Sequence, residues 1–372
     1  MYRTHFVEKF ASSEHIHIGE EVTMYLTLPN GLQLSFGEIT ALSGDFYGVP
    51  EHPIIDQGEK SENIARGRRE RFMAAYSTLA HAIYEDIKKE VDKILEIMQE
   101  ERNAVDAALK DGKPPSEALE NLGNTLSEKW DTLTGGIWIL GKPIKFGRYM
   151  NIALSNYDHF VPSVKDAYLV GHELAIEKAR DASKGKTSEE KDRILQEAYS
   201  IDAFACHFLT DSFASGHMRT PRRELPDQVT PSKVGHLLTK YMHDKDNKYG
   251  LRVTNNRGDK WIAYGDGMLL NKESKRNLEV VSAAFQASVK QVEEAFLHPE
   301  RTPSSSQVTD YIPFVDVDAK NNYPMFQVKD GKVVRRTDLE NLSDPTTIST
   351  WTGIGTVVKL QTYKPHGSVI QV

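Results

Sequence analysis

The residues from 203 to 217 have the sequence AFACHFLTDSFASGH, and the interpretation of the whole chain starts from this stretch. Its apolar residues and alanine-rich beginning predict the buried end of a helix. On a helix, residues four apart share one face, so we expect His207 and Asp211 to point the same way. Ser215 and Gly216 then interrupt the pattern, and a sharp turn there would bring His217 back towards the other two side chains.

Two imidazoles and a carboxylate that converge in an apolar setting favour a metal site. Cations such as Zn²⁺ bind histidine nitrogen and aspartate oxygen and require a rigid support for these ligands. Spacing alone leaves a second interpretation open. In that interpretation the helix ends with a hydrogen-bonded core histidine and an exposed aspartate, and His217 lies in a loop.

The pattern His-x-x-x-Asp-x-x-x-x-x-His, formed by His207, Asp211 and His217, resembles the central motif of the trinuclear zinc phospholipases C. It is similar also to the related single-strand-specific zinc nucleases. In both, the aspartate bridges two metal ions and each histidine holds one. The flanking segments NYDHF (156–160) and GDFYG (44–48) resemble a bacterial and fungal phospholipase C branch more than the nucleases. The resemblance covers roughly the first 300 residues and is strongest from about 150 to 270.

The resemblance implies further zinc ligands in the N-terminal half. The histidine of segment 156–160, His159, would be one. Another would be Asp45, which could also orient or deprotonate the attacking water. By itself an aspartate beside glycines is more typical of a turn. The family also carries an early histidine, for which His5 is the natural candidate and His15 and His17 are the alternatives.

The resemblance also exposes a departure after His217. Zinc phospholipases place a further histidine there, with an acidic ligand one helical turn later. His236 matches the histidine, but Lys240 stands where the acid should be, and a charged ammonium cannot bind zinc. Two turns from His236, Asp244 is expected to supply the acid, and His243 is the other candidate. A third possibility is that the third metal is held differently.

Composition restricts the class of protein. With 372 residues, 39% hydrophobic and 27% charged, the chain can bury a substantial core. The net charge of -7 argues against nucleic-acid binding as the main function, although three arginines form a local basic patch (Arg219, Arg222 and Arg223). A single cysteine, Cys206, excludes an internal disulfide framework.

Targeting signals are sparse. No apolar run approaches the roughly 18 residues of a membrane span. The N-terminus lacks a secretory hydrophobic segment. We therefore expect the chain to be cytosolic, exported by a signal-independent route, or shown without its leader.

The pattern of apolar residues predicts a mainly α fold with a small β-rich C-terminal part. We expect one long amphipathic helix over 66–110, a helix capped by Thr187 and Glu190 that leads to His207, and a helix over 277–296. Segment 135–141 is expected to be a buried loop near a pocket, and 251–271 a hairpin with a glycine-rich turn. Residues 1–300 would form the catalytic domain. Residues 301–372, with strand-like runs at 311–315, 325–328 and 356–360, would form the β-rich extension.

Together these features predict a zinc-dependent phospholipase C with two or three zinc ions. Its substrate would be a phospholipid such as phosphatidylcholine at a membrane surface, cleaved to diacylglycerol and a phosphorylated head group, with no nucleic-acid partner. One alternative is a single-strand nuclease or 3′-nucleotidase on the same metal frame. Another is a non-catalytic protein in which one zinc ion joins helices, an idea that Lys240 keeps open. The sequence leaves head-group preference and oligomeric state open.

Overall fold

The computed structural model describes residues 12–56, 59 and 63–364. This part of the chain is mainly helical and its strands form only small antiparallel sheets, so the predicted fold class is confirmed. The helices are α1 (Ser12–Gly19), α2 (Phe36–Leu42), α3 (Ile64–Ala80), α4 (Tyr84–Lys110), α5 (Pro115–Leu133), α6 (Arg148–Ser155), α7 (Ser163–Ser183), α8 (Ser188–Asp211), α9 (Glu224–Gln228), α10 (Ser232–Tyr249), α11 (Lys275–Leu297), α12 (Ser306–Thr309) and α13 (Gly353–Leu360).

The strands pair close to one another in sequence, apart from β7. They are β1 (Tyr25–Thr27), β2 (Gln33–Ser35), β3 (Ile137–Ile139), β4 (Lys142–Lys145), β5 (Leu251–Thr254), β6 (Lys260–Ala263), β7 (Phe314–Val315), β8 (Phe326–Lys329), β9 (Lys332–Arg336) and β10 (Thr347–Ile348). β1 pairs with β2 and β3 with β4, while β6, β5 and β7 form one sheet and β10, β9 and β8 another.

Helix α8 lies at the centre of the fold, packed along α7 and covered by α2 and α11. Its first turn is stabilised by the Thr187 hydroxyl, which accepts the N–H of Glu190 at 3.1 Å. In a complete capping box the Glu190 carboxylate would accept the N–H of Thr187. Here it accepts the N–H of Lys186 instead, at 2.7 Å. All residues from Ala198 to Asp211 are buried. The C-terminal end of α8 therefore delivers its polar side chains into the protein interior.

The prediction of a single long helix over 66–110 is wrong, because the structure has two helices there. α3 ends at Ala80 and α4 begins at Tyr84. The amide of Asn30 donates to the carbonyls of Leu79 at 2.9 Å and Ala82 at 3.2 Å, and so satisfies carbonyl groups at the break. Apolar periodicity continues across the break, which is why the sequence did not reveal it.

The C-terminal residues form the small sheet β8–β9–β10 and two short helices. Segment 356–360 is helical within α13 rather than a strand, because the Thr352 hydroxyl accepts the N–H of Gly355 at 3.3 Å and caps the helix. Strand β7 pairs with β5, and side chains of the tail share an apolar cluster with α9 and α10. The proposed division at residue 300 stays a prediction.

Segment 135–141 is not a buried loop. It forms most of the hairpin β3–β4, whose apolar side chains are largely exposed. No helix in the described ranges combines the length and the apolar character needed to cross a membrane.

Candidate metal centre

Three groups of histidine and aspartate side chains converge next to the end of α8. Within each group the ligand atoms lie within 4.8 Å of one another. The groups are His15–Asp45–His207, His159–His207–Asp211 and His217–His243–Asp266. Each group could hold a metal ion, and His207 belongs to two of them. Except for the partly buried His15 and Asp266, these side chains are buried.

The end of α8 and the turn after it place the predicted motif together. The Nε2 atom of His207 lies 3.4 Å from an Asp211 carboxylate oxygen, and His217 Nδ1 lies 3.8 Å from the other oxygen. The turn is held by α10, since Ser215 Oγ donates to the Asp246 carbonyl at 2.8 Å and the Gly216 N–H donates to Asn247 at 2.6 Å. The structure thus brings His217 back towards His207 and Asp211.

Hydrogen bonds orient three of the histidines for metal binding. A carbonyl oxygen only accepts, so the Nδ1–H of His207 donates to the Thr40 carbonyl at 3.1 Å and that of His217 to the His159 carbonyl at 2.9 Å. His15 Nδ1 donates to the Thr210 hydroxyl at 2.7 Å, because that hydroxyl already donates to a carbonyl. In each ring Nε2 keeps its lone pair, which is the usual arrangement for metal-binding histidines.

Asp211 Oδ2 and His217 Nε2 are buried and make no hydrogen bond of regular geometry, and their near neighbours are atoms of the same ligand groups. Buried polar atoms normally have a partner. A cation would satisfy both, so the residues present fit a metal site.

His159 enters from the other side of Asp211. It ends the short 3₁₀ helix Tyr157–His159, and its Nδ1 atom lies 2.8 Å from Asp211 Oδ2. The preceding Asp158 fixes this turn by accepting the N–H of Ile54 at 2.7 Å. The histidine predicted from segment 156–160 therefore lies within the centre.

Asp45 also lies at the centre rather than in a solvent-exposed turn. Its Oδ1 atom is 3.9 Å from His207 Nε2. The glycine before it, Gly44, has φ +71°, and a Cβ atom there would lie 2.3 Å from His207 Cδ2 and 2.9 Å from His159 Cε1. A glycine at this position lets the backbone approach the two imidazoles.

The early histidine of the centre is His15 on α1. Its Nε2 atom lies 3.8 Å from Asp211 Oδ1. His17 points to solvent. His5, chosen from the sequence, lies outside the described residues. Among the described residues, His15 is therefore the candidate for the early histidine, and the choice of His5 stays a prediction.

The structure gives His236 and Asp244 other partners, and neither is a member of the three groups. His236 Nδ1 lies 3.4 Å from an Arg222 guanidinium nitrogen. Asp244 accepts a hydrogen bond from His243 Nδ1 at 3.0 Å and an ion pair from Lys240 at 2.7 Å. Of the two candidates on α10 after His236, His243 is the one that belongs to a ligand group. Lys240 occupies the acid position without binding metal, because it holds Asp244 against the back of His243.

The carboxylate that faces His243 comes from elsewhere in the chain. Asp266 Oδ2 lies 3.1 Å from His243 Nε2 and 3.4 Å from His217 Nε2. One helical turn after His243 stands Asn247, a neutral residue. The acid expected on α10 is therefore supplied by the loop after β6.

The sequence interpretation missed Asp266 because it treated Gly265-Asp266-Gly267 as an ordinary turn. The loop is fixed by the buried Glu14, whose carboxylate accepts the N–H groups of Gly267 at 3.0 Å and Leu269 at 2.8 Å. A Cβ at Gly265 would lie 1.7 Å from Asn247 Oδ1. An aspartate beside a tightly packed glycine is a feature shared with Asp45, and this is the signal that could have revealed it.

The charge states of the centre suit metal binding. Burial lowers the pKa of His207 well below its usual value and also lowers that of His15, so both rings are neutral. Burial alone would raise the pKa of Asp211. The surrounding imidazoles of His207, His159 and His217 have the larger effect and hold that pKa below its usual value, so this carboxylate is ionised. Neutral imidazole and ionised carboxylate are the forms that bind metal.

Two other rings of the centre hold protons. Burial lowers the pKa of His159, but the Asp211 carboxylate raises it to about 9. Burial also lowers the pKa of His243, while Asp244 and Asp266 raise it to about 10. Metal binding would displace these protons.

A cavity of about 510 Å³ opens beside the group formed by His217, His243 and Asp266. Asp266, Asp244 and Asn247 form part of its wall. The remaining wall carries one lysine, Lys248, and apolar side chains such as Leu119, Leu126 and Met268. It also includes four glutamates and two aromatic residues: Glu101, Glu117, Glu120, Glu273, Trp130 and Tyr249. At least one of the three groups is therefore reachable by a ligand of moderate size.

A second polar cluster lies between α7, α8 and α11. His172 Nδ1 is 2.7 Å from Asp202, whose carboxylate also accepts the Ser288 hydroxyl at 3.0 Å. All three side chains are essentially inaccessible, at 1% exposure or less. A serine nucleophile must be reachable by substrate. This Ser–His–Asp set therefore stabilises the helix packing.

No family model, curated protein or solved structure matches this chain.

Proposed function

We propose that this chain is a zinc-dependent phospholipase C that hydrolyses the phosphodiester of a phospholipid. One observation carries the proposal. Five histidines and three aspartates from distant parts of the chain form three overlapping or adjacent ligand groups around Asp211, beside an open cavity.

The ligand chemistry favours zinc over the harder cations. Imidazole nitrogens outnumber carboxylates in the centre. Mg²⁺ and Ca²⁺ prefer oxygen ligands, whereas mixed histidine and aspartate sets suit zinc. Three groups, two of which share His207, would hold two or three ions.

Zinc ions in these groups would stabilise the negative charge of the phosphoryl transition state and acidify the attacking water. The protein's own part follows from the geometry. Asp211, between four imidazoles, would bridge cations and fix their separation. Asp45 is the carboxylate next to His207 that could orient the water and accept its proton.

The cavity supports a lipid with a cationic head group. The exposed glutamates Glu117, Glu120 and Glu273 would attract a choline or amine, and Tyr249 would contact the cation through its ring. The same negative wall would repel the phosphate backbone of a nucleic acid. This observation favours the phospholipase over a single-strand nuclease.

The open cavity also argues against a purely structural zinc site. Structural sites are closed by four protein ligands, whereas catalytic sites keep a position open to substrate. Asp266 is both a member of a ligand group and part of the cavity wall.

The decisive experiment combines metal analysis with hydrolysis assays on the purified chain. We expect two or three zinc ions per chain, hydrolysis of a chromogenic choline phosphodiester, and little cleavage of single-stranded DNA. Asp211→Asn should lose metal and activity together, because a neutral amide is a poor bridge between two dications. If the chain binds one zinc ion or none and hydrolyses nothing, the centre has a structural role and the proposed activity is wrong. Cleavage of DNA in preference to the choline ester would identify a nuclease.

The control variant is Asp92→Asn on α4. Asp92 is exposed and pairs with Lys88, one helical turn before it on α4. Its replacement removes the same charge from an exposed position that belongs to none of the ligand groups, so metal content and activity should stay at the wild-type level.

A further inference from the structure

The hairpin β3–β4 places apolar side chains in solvent. Leu140 at its tip is 97% exposed, and Ile137, Ile139 and Ile144 are each more than half exposed. A soluble surface rarely carries several large aliphatic side chains on one short element without a partner.

The tip residue is unusual in its backbone as well. Leu140 has φ +50°, in the left-handed region that a branched side chain rarely adopts. The next residue, Gly141, also has positive φ, as expected for a tight turn. Asparagine or glycine would suit the position of Leu140 better, so neither folding nor solubility explains a leucine there.

Lysines accompany the apolar side chains on the same face. Ile139 pairs directly with Lys142, and Ile137 with Lys145. Directly paired residues of an antiparallel hairpin project from the same face. The exposed isoleucines therefore lie beside two ammonium groups, although the chain as a whole has a net charge of -7.

The hairpin is firmly attached to the fold. Trp138, on its opposite face, donates from Nε1 to the buried Asp131 at 2.7 Å, and Asp131 also accepts the N–H of Gly147 at 2.8 Å. Asp131 follows Trp130, which lines the cavity, and Gly147 precedes α6, which leads towards His159. The hairpin is thus joined through Asp131 to the cavity wall and to the start of α6.

We propose that the tip of β3–β4 inserts into the surface of an anionic lipid bilayer and presents the cavity to lipid head groups. This inference rests on the proposed function, which it extends from the substrate to the way the substrate is reached. Aliphatic side chains would enter the acyl boundary while the lysines contact lipid phosphates. A second copy of the chain fits less well, because a two-fold contact would bring like-charged lysines together.

The test measures binding to phosphatidylcholine vesicles with and without phosphatidylserine, by flotation in the cold. The double variant Ile139→Ser, Leu140→Ser should bind at least about ten-fold more weakly, because it removes two large apolar side chains from the contact. The double variant Lys142→Glu, Lys145→Glu should lose about ten-fold in binding to the anionic vesicles, and less to the neutral ones. Leu297→Ser is the matched control, since Leu297 at the end of α11 is 58% exposed, like Ile139 at 57%.

Three results would overturn the inference. They are absence of vesicle binding by the wild-type chain, unchanged binding by the serine variant, and a wild-type dimer that the serine variant dissociates without any vesicle binding. Hydrolysis of the water-soluble choline phosphodiester is measured in parallel and should be equal in the wild type and all these variants. If that hydrolysis is absent while vesicle binding depends on the hairpin, the proposed activity fails and the lipid contact stands.

Discussion

Asp211 is the residue on which the candidate centre converges. Its carboxylate oxygens lie 3.8 Å from His15, 2.8 Å from His159, 3.4 Å from His207 and 3.8 Å from His217. The nearest two of these four histidines in the chain, His207 and His217, are ten residues apart. A single buried carboxylate surrounded by imidazoles is suited to bridge cations, since each ion can take one oxygen.

Asp45 makes the sharpest prediction at this scale. If it orients the attacking water, Asp45→Asn should lower turnover by about 10²–10⁴-fold, which is typical for loss of a general base. Metal content should fall much less, because the histidines and Asp211 still bind the ions. Zinc content, melting temperature and hydrolysis rate are measured on the same preparation. An unchanged rate per folded molecule would make Asp45 a structural turn residue.

Among the helices, α1 is the element whose docking matters most to the centre. It carries His15, and its Glu14 fixes the loop of Asp266. Its first turn is held by α4, where the buried Glu101 accepts the N–H of Ser13 at 3.1 Å. Two candidate ligands that are far apart in the chain, His15 and Asp266, thus depend on the position of one short helix.

Burial raises the pKa of Glu101 to about 7 from its usual 4.5, against the opposing effect of the Ser13 hydrogen bonds. The folded state therefore prefers the protonated carboxyl. That contribution to stability is complete below about pH 4.5 and is lost as the pH rises through 7.

Glu101→Gln should remove this dependence, because the amide is neutral and its oxygen can still accept the Ser13 N–H. At pH 8 to 9 the variant should be more stable than the wild type by roughly 3 kcal/mol, and the difference should vanish towards about pH 4. Urea unfolding at several pH values measures it. The exposed neighbour Glu100, which pairs with Lys129, provides the control variant Glu100→Gln. Parallel pH profiles for wild type and Glu101→Gln would contradict the prediction.

In the molecule as a whole, the ligand groups connect elements that are far apart in the chain. His15 lies on α1, His207 and Asp211 on α8, His243 on α10, and Asp266 after β6. The clustered carboxylates and protonated imidazoles are buried together at this junction. Bound ions should therefore stabilise the entire fold and not only the local site.

Removal of metal tests this coupling. An ion that binds only the folded state stabilises it by about 4 kcal/mol when its free concentration is 1,000 times its dissociation constant. Chelation should lower the melting temperature by several degrees, and added Zn²⁺ should restore both the melting temperature and hydrolysis. Asp211→Asn should melt near the chelated wild type and respond little to chelator. A melting temperature that chelation leaves unchanged would separate the centre from the stability of the fold.

The sequence by itself determined the features that are local. Periodicity predicted a mainly α fold, and the four-residue spacing placed His207 and Asp211 on one helical face because a helix turns every 3.6 residues. The break between α3 and α4 was not predicted, because the apolar spacing continues across it. The side chain that binds the carbonyl groups at the break, Asn30, lies in a distant part of the sequence.

Only the tertiary structure decided which other side chains join the centre. His15, His243 and Asp266 reach it through the packing of α1, α10 and the loop after β6, and their separation in the chain carries no spacing rule. Lys240 illustrates the difference, since in sequence it only breaks a motif, whereas in the fold it holds Asp244 behind His243. Backbone periodicity predicts which candidate ligands on one helix share a face. Candidate ligands that are about 250 residues apart are brought together by the packing of the core, which is a property of the folded chain alone.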